Sequence, residues 1–304
     1  GSTKYVSLQA ALDAAHEMTG NVTITLIDNN EGYSIVHQKE GLNLTIDGDD
    51  KTVAGQIIID GDGRASGIET LTIQNIKFEG NKSNFYSGTD AFILVPSTKT
   101  SGTPYYTNKY NYAHNITISN CSFTSTSSSL DVVGIKPTSG AGCYNLVVDN
   151  TEGTNLHSLA QLTGTTGASF DNCSAGSKNF INISGGTGDY SVTDCSFTSL
   201  NVSDSYAIRL KDASTAHLTL DGNNDFKASS AIVLTATGDD QGNEAMIEVK
   251  SGIYTGSIEK NNEAVLAISG GYFSEEFPQE YLAADLVAQG KVCTPAPDME
   301  GYFT

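Results

Sequence analysis

Apolar and polar positions alternate in short runs along this chain, and one arrangement of them keeps returning. An apolar residue is followed by a variable one, then a turn former, then an aromatic five positions after the first. The clearest copy is LTIQNIKF at 71–78, where Ile73 reaches Phe78. Ile118 with Phe123, Val192 with Phe197, Val249 with Tyr254 and Ile268 with Phe273 repeat it. Weaker copies run from Val148 to Gly153, from Phe170 to Ala175 and, with one residue more, from Leu220 to Phe226, while Ile46 in LTIDG marks an earlier turn. The apolar starts at 118, 148, 170, 192, 220, 249 and 268 lie 30, 22, 22, 28, 29 and 19 residues apart. That is the length of one solenoid coil, not of a domain.

Parity within a copy assigns the side chains, because a strand alternates its faces and a tight turn resets direction. Ile118 faces inward, Asn120 takes the bend, and Cys121 and Phe123 face inward on the next strand. Asn75, Asn120, Asn172 and Asp194 fall at this corner, where a left-handed backbone suits Asn, Asp and Gly and stacked coils allow an amide ladder. A second set of runs follows each copy: AFILV (91–95), VVGIK (132–136), LAQL (159–162), FINI (180–183), AIRL (207–210) and AIVL (231–234). These complete a coil of three strands. Stacked at about 4.8 Å per coil, each inward residue touches its counterparts above and below, so the coils must fold together. The fold class expected is all-β, a single parallel β-helix.

Both ends of such a stack need covers. Residues 6–18 place Val6, Leu8, Ala11, Leu12, Ala15 and Met18 at helical spacing after a polar start at Ser7, predicting an N-terminal capping helix within 1–20. The strand VTITLI (22–27) then starts the helix body, 21–275. Beyond Phe273 the period stops. SEEFPQEYLAADLVAQG predicts a short helix introduced by Pro278, with Phe277, Tyr281, Leu282 and Leu286 over the last coil, and 276–304 form the C-terminal cap and a tail that either pairs along the flank or leads into further sequence.

Composition narrows the function classes. A formal charge of −19, from 16 basic and 35 acidic residues, disfavours nucleic acid and anionic membranes. No run approaches the roughly 18 apolar residues of a membrane helix. The chain opens Gly-Ser with no initiating Met and no visible signal peptide, so export to the cell exterior is expected through a signal the sequence does not carry. The N-x-S/T triplets, such as the one at Asn115, follow from a repeat rich in Asn, Ser and Thr. Five cysteines leave at least one thiol unpaired in a monomer. Cys121, Cys173 and Cys195 share one inward repeat position and read as stacked thiols packing as small core residues. Zinc is the alternative, without CxxC or HxxxH spacing to support it.

Acidic Asp-Gly turns at 47–50 and 60–63 invite a calcium reading. After Asp60 and Asp62, however, Arg64 takes the next ligand position and Leu71 stands where a terminal Glu is needed, so turn chemistry is the expectation. No cofactor is called for. The insertion at 97–113 carries Tyr105, Tyr106, Tyr110 and Tyr112 with Lys99 and Lys109. Its tyrosines either stack on sugars or a protein partner or fold down on the solenoid flank.

The copies LTIQNIKF, ITISNCSF and YSVTDCSF resemble the pectate-lyase-like superfamily of right-handed parallel β-helices, over nearly the whole chain. SLQAALDAA before VTITLID, and the closing AISGGYFSEEFPQEYLA, are similar to secreted bacterial surface β-helix proteins of adhesin type. That superfamily includes polysaccharide lyases and glycoside hydrolases, and a lyase implies clustered calcium carboxylates with an Arg or Lys base. The arginines here are Arg64 and Arg209. Arg209 and Lys211 in AIRLK resemble the RIK signature of polygalacturonases, but the NTD, DD and GHG motifs are missing. Asp131, Asp204 and Asp212 do not align as a carboxylate pair, and His157 stands alone.

Lys136, Arg209 and Lys211 project from equivalent strands, either as solubilising charges paired with nearby Asp residues or as a basic strip for an anionic glycan. The leading expectation is a noncatalytic, exported surface β-helix that binds a carbohydrate or a surface protein as a monomer. The alternatives are a lyase or hydrolase centred on Arg209 and Lys211, and a structural spacer.

Overall fold

The computed structural model of the protein describes residues 3–60, 69–86, 89–96, 113–135, 143, 145–200, 205–211, 215–237, 245–261 and 264–304, with only the backbone at 229–231. It is a parallel β-solenoid built as the repeat requires. Among the described residues ten strands form one face, and thirteen form a second sheet that bends to make the other two faces, because strands such as Glu152–Thr163 and Ser174–Ser184 run through the corner between them.

The register reproduces the sequence periodicity position by position. On the first face Ile24, Ile46, Ile73, Ile118, Val148, Phe170, Val192, Leu220, Val249 and Ile268 stack in one inward row. On the second face Phe78, Phe123, Gly153, Ala175, Phe197, Phe226, Tyr254 and Phe273 follow one another. The third face stacks Ile93, Val133, Ala160, Ile181, Ile208, Leu234 and Ile258. Phe78 and Phe123 lie parallel at 4.7 Å, and Tyr254 and Phe273 stack at 5.1 Å. Where the aromatic is missing at Gly153, a bulge with Asn155 in the left-handed region (φ 56°) brings Leu156 into the vacated slot. A Cβ on Gly153 would meet Leu156 Cδ1 at 2.4 Å.

The corner after the first face is left-handed at Asn75, Asn120, Asn172 and Asp194 as expected, and also at Asn150 (φ 44°). The amide ladder exists: Asn150 Nδ2 donates to Asn120 Oδ1, and Asn172 Nδ2 donates to Asn150 Oδ1 at 3.0 Å. The extra residue after Leu220 is absorbed by Gly222 (φ 74°), by Asn223, which donates to Asp194, and by Asn224, which turns inward. Asn224 accepts from Cys195 N and donates to the carbonyls of Val192 and Asp221.

The inward position after the bend explains the cysteines. Cys121, Thr151, Cys173 and Cys195 each send their Sγ or Oγ1 hydrogen to the carbonyl two residues back, at 2.9 to 3.3 Å. A small side chain with a donor satisfies a carbonyl that the corner takes out of the ladder. All five cysteines are free thiols, four of them buried. Burial pushes the Cys121 and Cys143 thiols up to about 12, and the hydrogen bond with Cys195, together with burial, raises that of Cys173. The four buried thiols pack as small core groups.

The N-terminal cap is helix α1 (Leu8–His16), with Ser7 as N-cap accepting from Ala10 N. Leu8, Ala11, Leu12 and Ala15 are buried. The spacing overreaches at its ends, because Val6 is fully exposed before the cap and Met18 is 45% exposed after it. Strand β1 (Gly20–Thr25) begins the first face and β2 (Asn30–His37) the second and third. They pair with β3 (Leu42–Asp47) and β4 (Thr52–Asp60). At the other end the single expected helix is two pieces, a 3-10 turn at Gln279–Tyr281 and helix α2 (Ala284–Ala288). Phe277 and Leu282 are buried over the last coil, with Tyr281 and Leu286 partly so. The tail doubles back, and Phe303 pairs antiparallel with Phe273 through two hydrogen bonds.

Candidate functional site

The outward positions of the third face form a row in strict register. It begins apolar and covered at Ile58 and Leu94, passes Gly134, and becomes polar at Gln161, Asn182, Arg209, Thr235 and Glu259. Arg209 lies on the strand Tyr206–Lys211, and alternation puts Lys211 on its side two residues on, level with Ser184 and Thr237. The Arg209 guanidinium sits over the Tyr206 ring, 5.2 Å from its centroid, a half-buried cation on an aromatic face. Among the described residues no carboxylate lies within salt-bridge distance of Arg209.

Into this row runs a chain of hydrogen bonds whose direction is fixed at one end. Asp131 is 2% exposed, at the corner where the third face begins, and its Oδ1 accepts from His157 Nδ1 at 2.8 Å and from Ser158 Oγ. A carboxylate only accepts, so Ser158 must donate to it. The serine oxygen is then left to accept, and it takes Gln161 Nε2 at 3.1 Å. That turns Gln161 Oε1 toward Asn182 Nδ2, which donates at 2.8 Å. The chain ends at Asn182 Oδ1, which is buried and has no hydrogen-bond partner. An orphaned acceptor of this kind costs about 1 to 3 kcal/mol. It stands one strand from Arg209.

His157 is thus held by Asp131 at a corner, its side chain 37% exposed. Tyr105, Tyr106, Tyr110, Tyr112, Lys136, Arg64, Asp204 and Asp212 lie outside the described residues. Of the basic strip, then, the structure places Arg209 and Lys211. Sequence reasoning missed Gln161 and Asn182, although FINI and LAQL contain them.

The acidic turn at 47–50 works as a turn. Asp49 and Asp50 are left-handed, and Asp47 accepts from Asp49 N, Gln74 Nε2 and Asn75 Nδ2. Against some desolvation, these bonds hold the Asp47 carboxyl below its usual range. Asp60 is buried and bonded to His37 Nδ1 at 2.9 Å. Among the described residues no group of three or more His, Cys, Asp and Glu could hold a metal ion.

A groove of about 440 Å³ follows the asparagine corner, lined by Asn75, Asn120, Asn150, Asn172 and Asp194 with Lys77, Glu152 and Ser174. Its central amides are bonded to one another, so it is a consequence of the ladder. Among the described residues no helix is long and apolar enough to cross a membrane. Compared with known proteins, the chain matches no family model, no curated protein and no solved structure.

Proposed function

We propose that the protein is a noncatalytic β-helix of an exported bacterial surface protein, related to the pectate-lyase-like superfamily, and that its third face binds an acidic glycan. The observation that carries this reading is Arg209 in the outward row beside Asn182, its guanidinium over the Tyr206 ring and, among the described residues, with no carboxylate within salt-bridge distance. A planar fork of donors suits a carboxylate such as that of a uronic acid. Tyr206 adds an aromatic edge and Lys211 a second cation. In a chain of net charge −19, local cations are what a polyanion needs to approach. The repeat's likeness to secreted surface β-helices supports the setting.

Binding to a panel of uronic-acid and neutral oligosaccharides tests it, read by calorimetry with wild type, Arg209→Ala and Asp131→Asn. Acidic sugars bind, Arg209→Ala weakens them at least about tenfold, and Asp131→Asn weakens them less by releasing the polarity of the network. Absence of binding to every acidic sugar, or binding indifferent to Arg209→Ala, refutes the site. Shortening or unsaturation of a polysaccharide by wild type, with calcium supplied, replaces binding with lyase or hydrolase activity.

A further inference from the structure

A solenoid has strand edges to hide at both ends, and the caps here cover part of them. At the C-terminal end Ile268 O accepts Ala283 N at 2.9 Å, and Phe273 exchanges two hydrogen bonds with Phe303. At the N-terminal end α1 covers β2, where the Gln9 side chain accepts from Ile35 N at 2.7 Å and donates to Ile35 O at 3.2 Å, as a neighbouring strand would. Strand β1, the outermost of the first face, pairs with β3 on one side, and no described residue takes its other edge. Val22 and Ile24 open the inward rows but are only partly buried, whereas Leu44 and Ile46 behind them are 5% and 0% exposed.

Unpaired edges of this kind are ordinarily blunted by charge, proline or a bulge. The sequence GNVTIT has no charged residue and no proline, in a chain that is otherwise strongly acidic. Two exposed apolar side chains flank it, Met18 (45%) before and Ile27 (58%) after.

We propose that β1 joins two copies of this chain antiparallel about a twofold axis, so that the first face continues from one solenoid into the other. A twofold contact must be self-complementary, and β1 satisfies that condition. With the axis at Thr23, Val22 faces Ile24 of the second copy on the inward side, and Asn21 faces Thr25 on the outward side. Met18 of one copy comes opposite the Ile27 region of the other, covering both exposed groups at once. No charge meets a like charge within the strand pair. The contact is small, placing it among weak, reversible interfaces, and salt strengthens it by screening the repulsion between two acidic bodies.

Sedimentation equilibrium from about 5 to 500 µM in high salt reads the association, in a Cys293→Ser background. The wild-type chain dimerises as concentration rises. Thr23→Lys, which sets two ammonium groups face to face, weakens the dimer at least about tenfold, while Thr72→Lys, in the same outward row two strands inward, leaves it unchanged. Under mild oxidation Thr23→Cys gives a covalent dimer and Asn21→Cys does not, because only position 23 faces itself. A wild-type chain that stays monomeric throughout, a Thr23→Lys chain that dimerises as well as wild type, or equal cross-linking at positions 21 and 23 overturns the proposal.

Discussion

Asn150 tests how the asparagine corner is held. Its φ of 44° lies in the left-handed region, its Nδ2 donates to Asn120 and its Oδ1 accepts from Asn172. Two effects are therefore separable. Alanine loses both ladder bonds and must also hold a left-handed backbone, which costs about 1 to 2 kcal/mol for a residue with a Cβ. Glycine loses the same two bonds without that strain, at the expense of about 0.5 to 1 kcal/mol in chain entropy. The ladder bonds are exposed, so together they contribute about 1 kcal/mol, the low end for two neutral bonds. Urea unfolding should place Asn150→Gly about 1.5 to 2 kcal/mol below wild type and Asn150→Ala about 2 to 3 below it. Asn150→Asp keeps the tolerated backbone and the bond from Asn172 but loses the donor to Asn120, and should be the mildest of the three. An alanine variant as stable as the glycine variant would refute the claim that left-handed geometry selects the corner residue, and would leave the ladder alone to explain it.

The aromatic row and the acidic turn make two further predictions. Phe226 is fully buried against the rings of Phe180, Phe197 and Tyr254, at 5.0, 6.4 and 5.8 Å; Phe226→Ala should cost about 3 to 5 kcal/mol in the same urea assay, and a loss below 1 would mean that the row does not hold the coils together. Asp47, whose carboxyl is held below its usual range, contributes stability that is present above its unfolded value near 3.8 and lost as pH falls through the lower folded value. The stability gap between wild type and Asp47→Asn should accordingly be constant from neutral pH down to about 4 and close below it, as followed by thermal unfolding at a series of pH values.

The interior of this molecule is legible in its sequence because stacking makes each inward row a repeated choice of residue. Ile118, Val148, Phe170 and Val192 can be aligned by eye, and the register pairs them as aligned. The corner is legible for the same reason, since Asn and Asp mark a backbone that few residues accept. Helix α1 is visible through Leu8, Ala11, Leu12 and Ala15, but helical spacing continues past the cap at Ser7 to Val6 and past the last turn to Met18, and spacing alone does not say where a helix stops.

The third-face network obeys a different logic. Asp131, Ser158, Gln161 and Asn182 sit on three coils of unequal length, so no period in the chain joins them. What joins them is proton direction: a buried carboxylate that can only accept dictates the orientation of a hydroxyl, then of one amide, then of another. Each link is determined by the one before it, and none leaves a signature in residue type beyond being small and polar. The consequence appears only at the far end, where the Asn182 oxygen is buried with nothing to accept from. A donor in place of Asp131 would remove that constraint, because a hydroxyl can accept twice and Ser158 would then be free either to donate to Gln161 or to accept from it. Asp131→Asn tests that step, because an amide at position 131 can take either orientation, and a site that kept its preference for acidic sugars over simple anions after the change would owe nothing to the buried carboxylate.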